Sequence, residues 1–201
     1  VIECAPSKLV RSIVAPFVAS GKIAVVLSAG ALLDNEDLIE TAKQHGGQIV
    51  VPTGALIGLD AVTAAAVGNI HSVRMITRKP IRGLAGAPYI VENNIDIEGI
   101  TKAQKIFDGT AREAAKGFPA NVNVAVALSL AGIGPDLTRI EIWADPALTR
   151  NTHRIEVESD SATFSMSIEN IPSENPKTGL ITALSVIAYL RKLRASLRVG
   201  T

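Results

Sequence analysis

His153 is the histidine best placed for acid-base chemistry. It lies in a polar segment between the Asp145-Pro146 turn and an alternating, strand-like pattern. An imidazole at the mouth of a cleft can accept or donate a proton near neutral pH, although a surface histidine would show the same pattern. His45 and His71 lie at a predicted helix end and a predicted turn, and we interpret both as structural.

Three predicted strands end in small residues. The three ends are Cys4-Ala5-Pro6, Ser28-Ala29-Gly30 and Thr53-Gly54-Ala55. Ligands bind at the carboxyl ends of the strands in an open parallel sheet, and small side chains there let a flat ligand approach the backbone. Tight strand-to-helix turns also favour small residues, so one such turn alone decides nothing. Three together predict a nucleotide site.

The phosphate-binding pattern G-x-G-x-x-G is absent from the sequence. Gly132-Ile133-Gly134 follows a predicted helix and lacks the third glycine, so we interpret it as a loop. The chain begins at Val1, inside a predicted strand and without a methionine. We therefore expect a fragment that lacks the first strands and their glycine-rich turn. Such a fragment should bind dinucleotide weakly or not at all, because the diphosphate would have no preorganised N–H donors.

Several polar residues could contact a ligand. Asn123 lies one turn into a helix predicted at 121–131, where its amide could face a ligand or solvent. Lys177 and Thr178 begin the last predicted helix, and the free N–H groups there could bind a carboxylate. Arg78-Lys79 is another candidate carboxylate clamp, but a solvated charge pair is the favoured interpretation.

The first quarter of the chain alternates strands and helices. Continuous apolar runs predict strands at 1–5, 22–29 and 48–53. Such runs are typical of a parallel sheet covered on both faces. Ser7 should cap a first helix that Pro16 kinks or breaks, and Asp34 with Asp37 should form the capped start of a second. This is half of a doubly wound, Rossmann-type α/β sheet.

From Leu59 onward the pattern changes to that of an α+β domain. Residues 73–78 alternate between two faces, and residues 154–171 form a predicted hairpin. Both are typical of an open, mostly antiparallel sheet with one exposed face. Thr110 and Glu113 have the spacing of a capping box, which predicts a helix start.

The last helix should begin at Asn175-Pro176, since proline fits the first helical position. Its residues are apolar nearly all round, so we expect it to be buried between layers and to pack back on the first sheet. These elements predict a division into the second half of a dinucleotide-binding domain, a catalytic and dimerisation domain, and a returning helix, at 1–58, 59–173 and 174–201.

Composition excludes several classes of protein. The 201 residues are 47% hydrophobic and carry a net charge of +1, so neither disorder nor binding to nucleic acid or an anionic membrane is expected. The longest apolar run, 23–33, is far shorter than a membrane span. The single cysteine and three histidines offer neither a disulfide nor zinc-ligand spacing, and a reducing cytoplasm fits best.

Five segments, taken in order, resemble the L-aspartate dehydrogenases: 52–60, 77–79, 118–125, 151–153 and 175–178. The resemblance implies that His153 is the catalytic histidine and that Ala55 and Asn123 contact the cofactor. It also implies NAD or NADP as cofactor, a homodimer built on the open sheet, and a supply of iminoaspartate to NAD biosynthesis.

We therefore expect NAD(P)-dependent oxidative deamination of L-aspartate to iminoaspartate or oxaloacetate and ammonia. The expected site combines catalytic His153 with cofactor-binding Ala55, Asn123, Ala29, Gly30, Cys4 and Ala5, and with substrate-binding Thr53, Gly54, Lys177 and Thr178. Two alternatives remain open: a related dehydrogenase of another amino acid or dicarboxylate, and a non-catalytic dimerisation module.

Overall fold

Three short parallel strands form the first sheet, in the order β1-β2-β3. They are β1 (Ile2–Glu3), β2 (Ile23–Val26) and β3 (Gln48–Val50). The computed structural model describes residues 1–119, 122–174 and 179–200. The predicted parallel sheet is confirmed. Each strand is shorter than its apolar run, because the small residues at its end turn away from the ladder.

Two helices pack on this sheet, α1 (Val10–Val18) and α2 (Asp37–His45). Val14 and Val18 are completely buried on either side of Pro16, and α1 continues through the proline. The predicted break is therefore wrong, since one missing backbone hydrogen bond is offset by buried apolar area on both sides. The helix α2 ends at Gly46, which has the left-handed conformation typical of helix ends.

The predicted helix caps in this region are also wrong. No side chain caps the turn at Ser7, and α2 begins after Glu36 without a side-chain cap. Asp34 instead ends a 3-10 helix, Ala29–Asp34. Asp37 is held by Arg11 of α1, whose guanidinium donates to both carboxylate oxygens at 2.8 and 2.6 Å. Asp37, which the spacing with Asp34 assigned to a helix cap, therefore forms an ion pair with a residue of another helix instead.

Five strands form the second sheet, in the order β5-β6-β4-β7-β8. They are β4 (Ile70–Lys79), β5 (Gln104–Thr110), β6 (Arg139–Ala144), β7 (Thr152–Ser159) and β8 (Thr163–Glu169). Only β4 and β6 pair in parallel, whereas the other three pairs are antiparallel. The mostly antiparallel sheet and the β7–β8 hairpin are confirmed.

The inner face of this sheet forms the larger hydrophobic core with four helices. They are α3 (Leu59–Ala65), α4 (Pro88–Glu92), α5 (Ala111–Gly117) and α6 (Asn123–Ala131). The predicted capping box is confirmed at α5: Thr110 accepts from the Glu113 N–H at 3.2 Å, and Glu113 accepts from the Thr110 N–H at 2.7 Å. It fixes where β5 ends and α5 begins.

The last helix, α7 (Leu180–Arg194), returns to the first sheet but is not buried between layers. Of its residues only Ser185 and Val186 are buried, and six of its leucines and isoleucines are 37–59% exposed. The expected burial of this helix between two layers is wrong, because α7 contacts the rest of the chain along one narrow side. On that side the Gly54 N–H donates to Ser185 Oγ at 3.1 Å. Asn175 and Pro176 lie outside the described residues. No helix in the described ranges is long and apolar enough to cross a membrane.

Candidate active site

A cleft opens between the carboxyl ends of the first sheet and one end of the second. Together with the open solvent at its mouth, the space in this cleft is about 730 Å³. One wall consists of residues that follow β2 and β3. The other wall comes from α6, the cleft-side ends of β4 and β7, and the segments that flank β7 and β8.

Strand alternation carries polar side chains into this cleft. On β4, Val73 and Met75 are buried in the core, and Thr77 and Lys79 follow on the same inner face. On β7 the inner face likewise changes from apolar residues to His153, which is paired in register with Thr77. The inner face therefore turns polar where the helices no longer cover it and the first sheet begins.

His153 is buried, with only 4% of its surface exposed. Its Nδ1 lies 3.1 Å from Thr77 Oγ1, which leaves Nε2 as the ring nitrogen for a ligand. Burial, and secondly the charge of Lys79, lower the pKa of His153 to about 3. The expectation of proton exchange near neutral pH in the free protein is therefore wrong. The imidazole is neutral at working pH, so it can act as an acceptor when a bound ligand changes the local charge.

Lys79 is 3% exposed and lines the same cleft. Burial lowers the pKa of its ammonium to about 8. Arg78 lies on the opposite face of the sheet, 3.9 Å from Asp145 and 5.3 Å from the Trp143 ring. The interpretation of Arg78-Lys79 as a solvated charge pair is wrong for Lys79. Neighbouring residues of a strand face opposite sides of the sheet, so Lys79 faces inward while Arg78 faces outward. Residue 79 shares the inward parity of residues 73, 75 and 77, a signal already present in the sequence.

The turn after β3 is held from two sides. Gly54 has φ +62°, a conformation that favours glycine, and its N–H reaches Ser185 of α7. The Thr53 hydroxyl donates to the Leu56 carbonyl at 2.8 Å. The Ala55 carbonyl accepts from Asn170 Nδ2 at 2.9 Å. The predicted turn is thus fixed to the elements that flank the cleft.

The turn after β2 is joined to α6. Asn123 Oδ1 accepts from the Gly30 N–H at 3.0 Å, and a Cβ at Gly30 would lie 3.2 Å from that oxygen. Glu3, fully buried at the end of β1, accepts from the N–H groups of Ala5 and Ser28 at 2.8 and 3.0 Å. These contacts hold the ends of β1 and β2 together.

Asn170, which the sequence reasoning missed, lies between these groups. It is 4% exposed, and its backbone N–H donates to the Asn151 carbonyl at 2.9 Å. Its Oδ1 is buried without a hydrogen-bond partner in the part of the chain that the structure describes. A buried acceptor of this kind is costly unless something donates to it. Asn170 follows Phe164 and Met166 at even spacing and therefore lies on the same inward side of the strand, a sequence signal that could have identified it.

The structure brings six of the predicted site residues to this one cleft: His153, Ala55, Asn123, Ala29, Thr53 and Gly54. Gly30 adjoins it through Asn123. Cys4 is exposed, and neither it nor Ala5 lines the cleft. Lys177 and Thr178 lie outside the described residues. Within the ranges described, no group of three His, Cys, Asp or Glu side chains could hold a metal ion.

Comparison with known proteins relates both parts of the chain to dehydrogenases. Residues 60–193 match the family described as "Aspartate dehydrogenase, C-terminal", and residues 1–52 match "Homoserine dehydrogenase, NAD binding domain". An L-aspartate dehydrogenase of Bradyrhizobium diazoefficiens is 72% identical over 201 residues, which are 100% of this chain and 72% of the relative. L-aspartate dehydrogenase 3 of Bordetella bronchiseptica is 61% identical over 100% of this chain and 74% of its own length.

A solved structure has the same fold. The crystal structure of aspartate dehydrogenase from Thermotoga maritima superposes with a TM-score of 0.81 at 25% identity. The superposition covers 99% of this chain and 77% of that one. The likeness therefore extends over both sheets and the cleft between them.

Proposed function

Since this chain belongs to the aspartate dehydrogenase family, we propose that its cleft catalyses the oxidation of L-aspartate with NAD or NADP as hydride acceptor. One observation carries the proposal: buried His153 and Lys79 meet the carboxyl-end turns of a dinucleotide-binding sheet across one cleft. The sheet supplies a place for a nicotinamide, and the second domain supplies groups for an amino acid. We take 1–58, 59–173 and 174–201 as the domain boundaries of this proposal.

The turns of the first sheet suit a flat, polar cofactor. Ala29, Gly30 and Ala55 present backbone rather than bulky side chains, and Asn123 adds an amide beside them. The buried Asn170 Oδ1 can accept from a bound N–H donor. We assign cofactor contact to Ala55 and Asn123. When bound, the nicotinamide ring accepts the hydride that leaves Cα of the amino acid.

The amino acid must lose a proton for this reaction to proceed. A hydride leaves Cα only as the nitrogen lone pair forms the C=N bond, so the α-ammonium must first be deprotonated. We assign this proton to His153 Nε2, because Thr77 engages Nδ1. Burial is the larger cause of the low pKa of His153, and the charge of Lys79 is the smaller one. A carboxylate bound near Lys79 would oppose this smaller cause, so substrate binding makes the imidazole more basic.

The imine has two fates. It can leave as iminoaspartate, or water can add to its carbon and ammonia can depart, which yields oxaloacetate. Once His153 Nε2 has released the first proton to solvent, it can accept the proton of that water in the same way. Release of iminoaspartate would supply NAD biosynthesis, and we propose this role from the family relationship. We also propose that the protein acts in the cytoplasm.

We also propose a homodimer formed through the outer face of the second sheet. The helices α3, α4, α5 and α6 pack on the inner face. The outer face carries the ion pair of Arg74 with Glu141, a carboxylate that is 6% exposed. A two-fold, isologous contact is the commonest way to cover such a face.

The function is tested by incubating the full natural protein with L-aspartate and either NAD or NADP. We expect the absorbance of reduced nicotinamide to rise in step with ammonia release. L-Glutamate, L-alanine and L-homoserine serve as comparison substrates. Faster reduction with one of these would favour a dehydrogenase of another amino acid. No reduction with any substrate, in a protein shown to be folded, would favour the non-catalytic module.

A further inference from the structure

We infer that Lys79 binds a carboxylate of the substrate and is the residue that selects a dicarboxylic amino acid over uncharged analogues. The inference rests on the proposed function and names a residue for its substrate recognition. It starts from the position of Lys79, which is on the inner face of β4, buried, and on the cleft wall beside His153.

The charge balance of the cleft supports this role. Among the described residues that line the cleft, Lys79 is the only lysine or arginine. His153 is neutral, and Asn151, Asn170 and Thr182 add polar groups without charge. A dicarboxylate that enters such a cleft loses much of its hydration, which is costly without an opposite charge close by.

The strand register places Lys79 within reach of a substrate held by His153. Thr77 lies directly opposite His153, and Lys79 follows two residues later on the same face of β4. Diagonal neighbours of this kind have their Cα atoms about 7–8 Å apart, and a lysine side chain spans much of that distance. A small dicarboxylic amino acid can therefore contact both side chains at once.

The surrounding charges define how this binding depends on pH. His153 of β7 is the titratable side chain that faces Lys79 in the cleft. Asp145, which follows β6, contacts Lys79 through the backbone, where its N–H donates to the Lys79 carbonyl at 2.9 Å. The Asp145 carboxylate lies 3.9 Å from Arg78 on the other face. Because burial lowers the pKa of Lys79 to about 8, the ammonium is charged at neutral pH and loses its proton above that value. Dicarboxylate binding should weaken as Lys79 loses its proton.

The first test compares substrate selectivity in the full natural protein and in Lys79→Met. L-Asparagine lacks the side-chain charge of aspartate, and L-isoasparagine lacks the α-carboxylate charge. We expect kcat/KM for L-aspartate to fall by about 100-fold, mostly through KM, as expected when a charged hydrogen bond is lost. The preference for aspartate over one of the two amides should fall by a similar factor. A fall against L-asparagine would mean that Lys79 binds the side-chain carboxylate, and a fall against L-isoasparagine would mean that it binds the α-carboxylate. Lys102→Met, at an exposed loop position, is the matched control and should retain the preference.

The second test needs no turnover and no variant. Succinate, which has two carboxylates and no amine, is titrated into the wild-type protein with oxidised cofactor present, between pH 7 and 10. We expect its dissociation constant to rise up to tenfold per pH unit above about pH 8 as Lys79 loses its proton. Retention of both preferences by Lys79→Met would overturn the inference, as would a succinate dissociation constant that does not change with pH. If the wild-type protein fails to oxidise aspartate, the proposed function fails instead.

Discussion

Acid should destabilise the folded protein through His153 specifically. The pKa of this imidazole is about 3 in the folded protein, against 6.5 for the ordinary group. Below pH 6.5 the unfolded chain binds a proton here that the folded protein excludes, so the free energy of unfolding decreases as the pH falls. The slope is about 1.4 kcal/mol per pH unit between pH 6.5 and pH 3. At pH 5 the accumulated cost is about 2 kcal/mol.

The assay is urea unfolding of the wild-type protein and His153→Leu at a series of pH values from 5 to 7.5. Trp143 is the only tryptophan in the sequence, and its fluorescence reports on the second sheet. The leucine cannot be protonated, so the variant should gain stability relative to wild type as the pH falls, by about 2 kcal/mol between pH 7.5 and 5. Any cost of losing the Thr77 contact is independent of pH and cancels from this change.

The matched control is His71→Leu, because His71 is exposed on β4. Its unfolding free energy should follow that of the wild-type protein across the same pH range. A stability difference between wild type and His153→Leu that stays constant to within about 0.5 kcal/mol would refute the reasoning, because it would mean that the buried imidazole takes up its proton as readily as in the unfolded chain.

Three further outcomes are expected. Thr110→Ala removes the side-chain half of the capping box at α5 and should lower the free energy of unfolding by about 1 kcal/mol, measured by urea denaturation against the exposed control Thr101→Ala. Asn123→Ala removes the acceptor of the Gly30 N–H and should weaken binding of reduced cofactor by about tenfold, measured by fluorescence titration; unchanged affinity would count against its assignment. Light scattering of the full natural protein at micromolar concentration should give the mass of a dimer, and a monomer would contradict the proposed interface.

Local patterns predicted the framework because the interactions that form it are themselves local. The alternation of residues 73–78 identified the two faces of β4, and the Thr110–Glu113 spacing identified the start of α5. Each depends on neighbours within four residues along the chain or on the two-residue period of a strand. The turns at Ala29 and Thr53 were predicted in the same way, from small residues at the ends of apolar runs.

Properties set by distant parts of the chain were not predictable in this way. Asp37 has cap spacing but pairs with Arg11, which is 26 residues away along the chain. The low pKa of His153 depends on burial by other strands and on Lys79 of β4, none of which the sequence segment around residue 153 contains. Lys79 shares the strand parity of the inward-facing residues 73, 75 and 77, but the sequence interpretation took the adjacent pair Arg78-Lys79 as solvated.

The proton transfer assigned to His153 is tested most directly by the steady-state rate of nicotinamide reduction with L-aspartate, in the full natural protein and in His153→Ala. We expect kcat to fall by about 100-fold or more, the usual scale for the loss of an acid-base group. The affinity for reduced cofactor should remain within about twofold of wild type, since cofactor contact is assigned to Ala55 and Asn123 rather than to His153. A variant that keeps its cofactor affinity and turns over within about threefold of the wild-type rate would contradict the account.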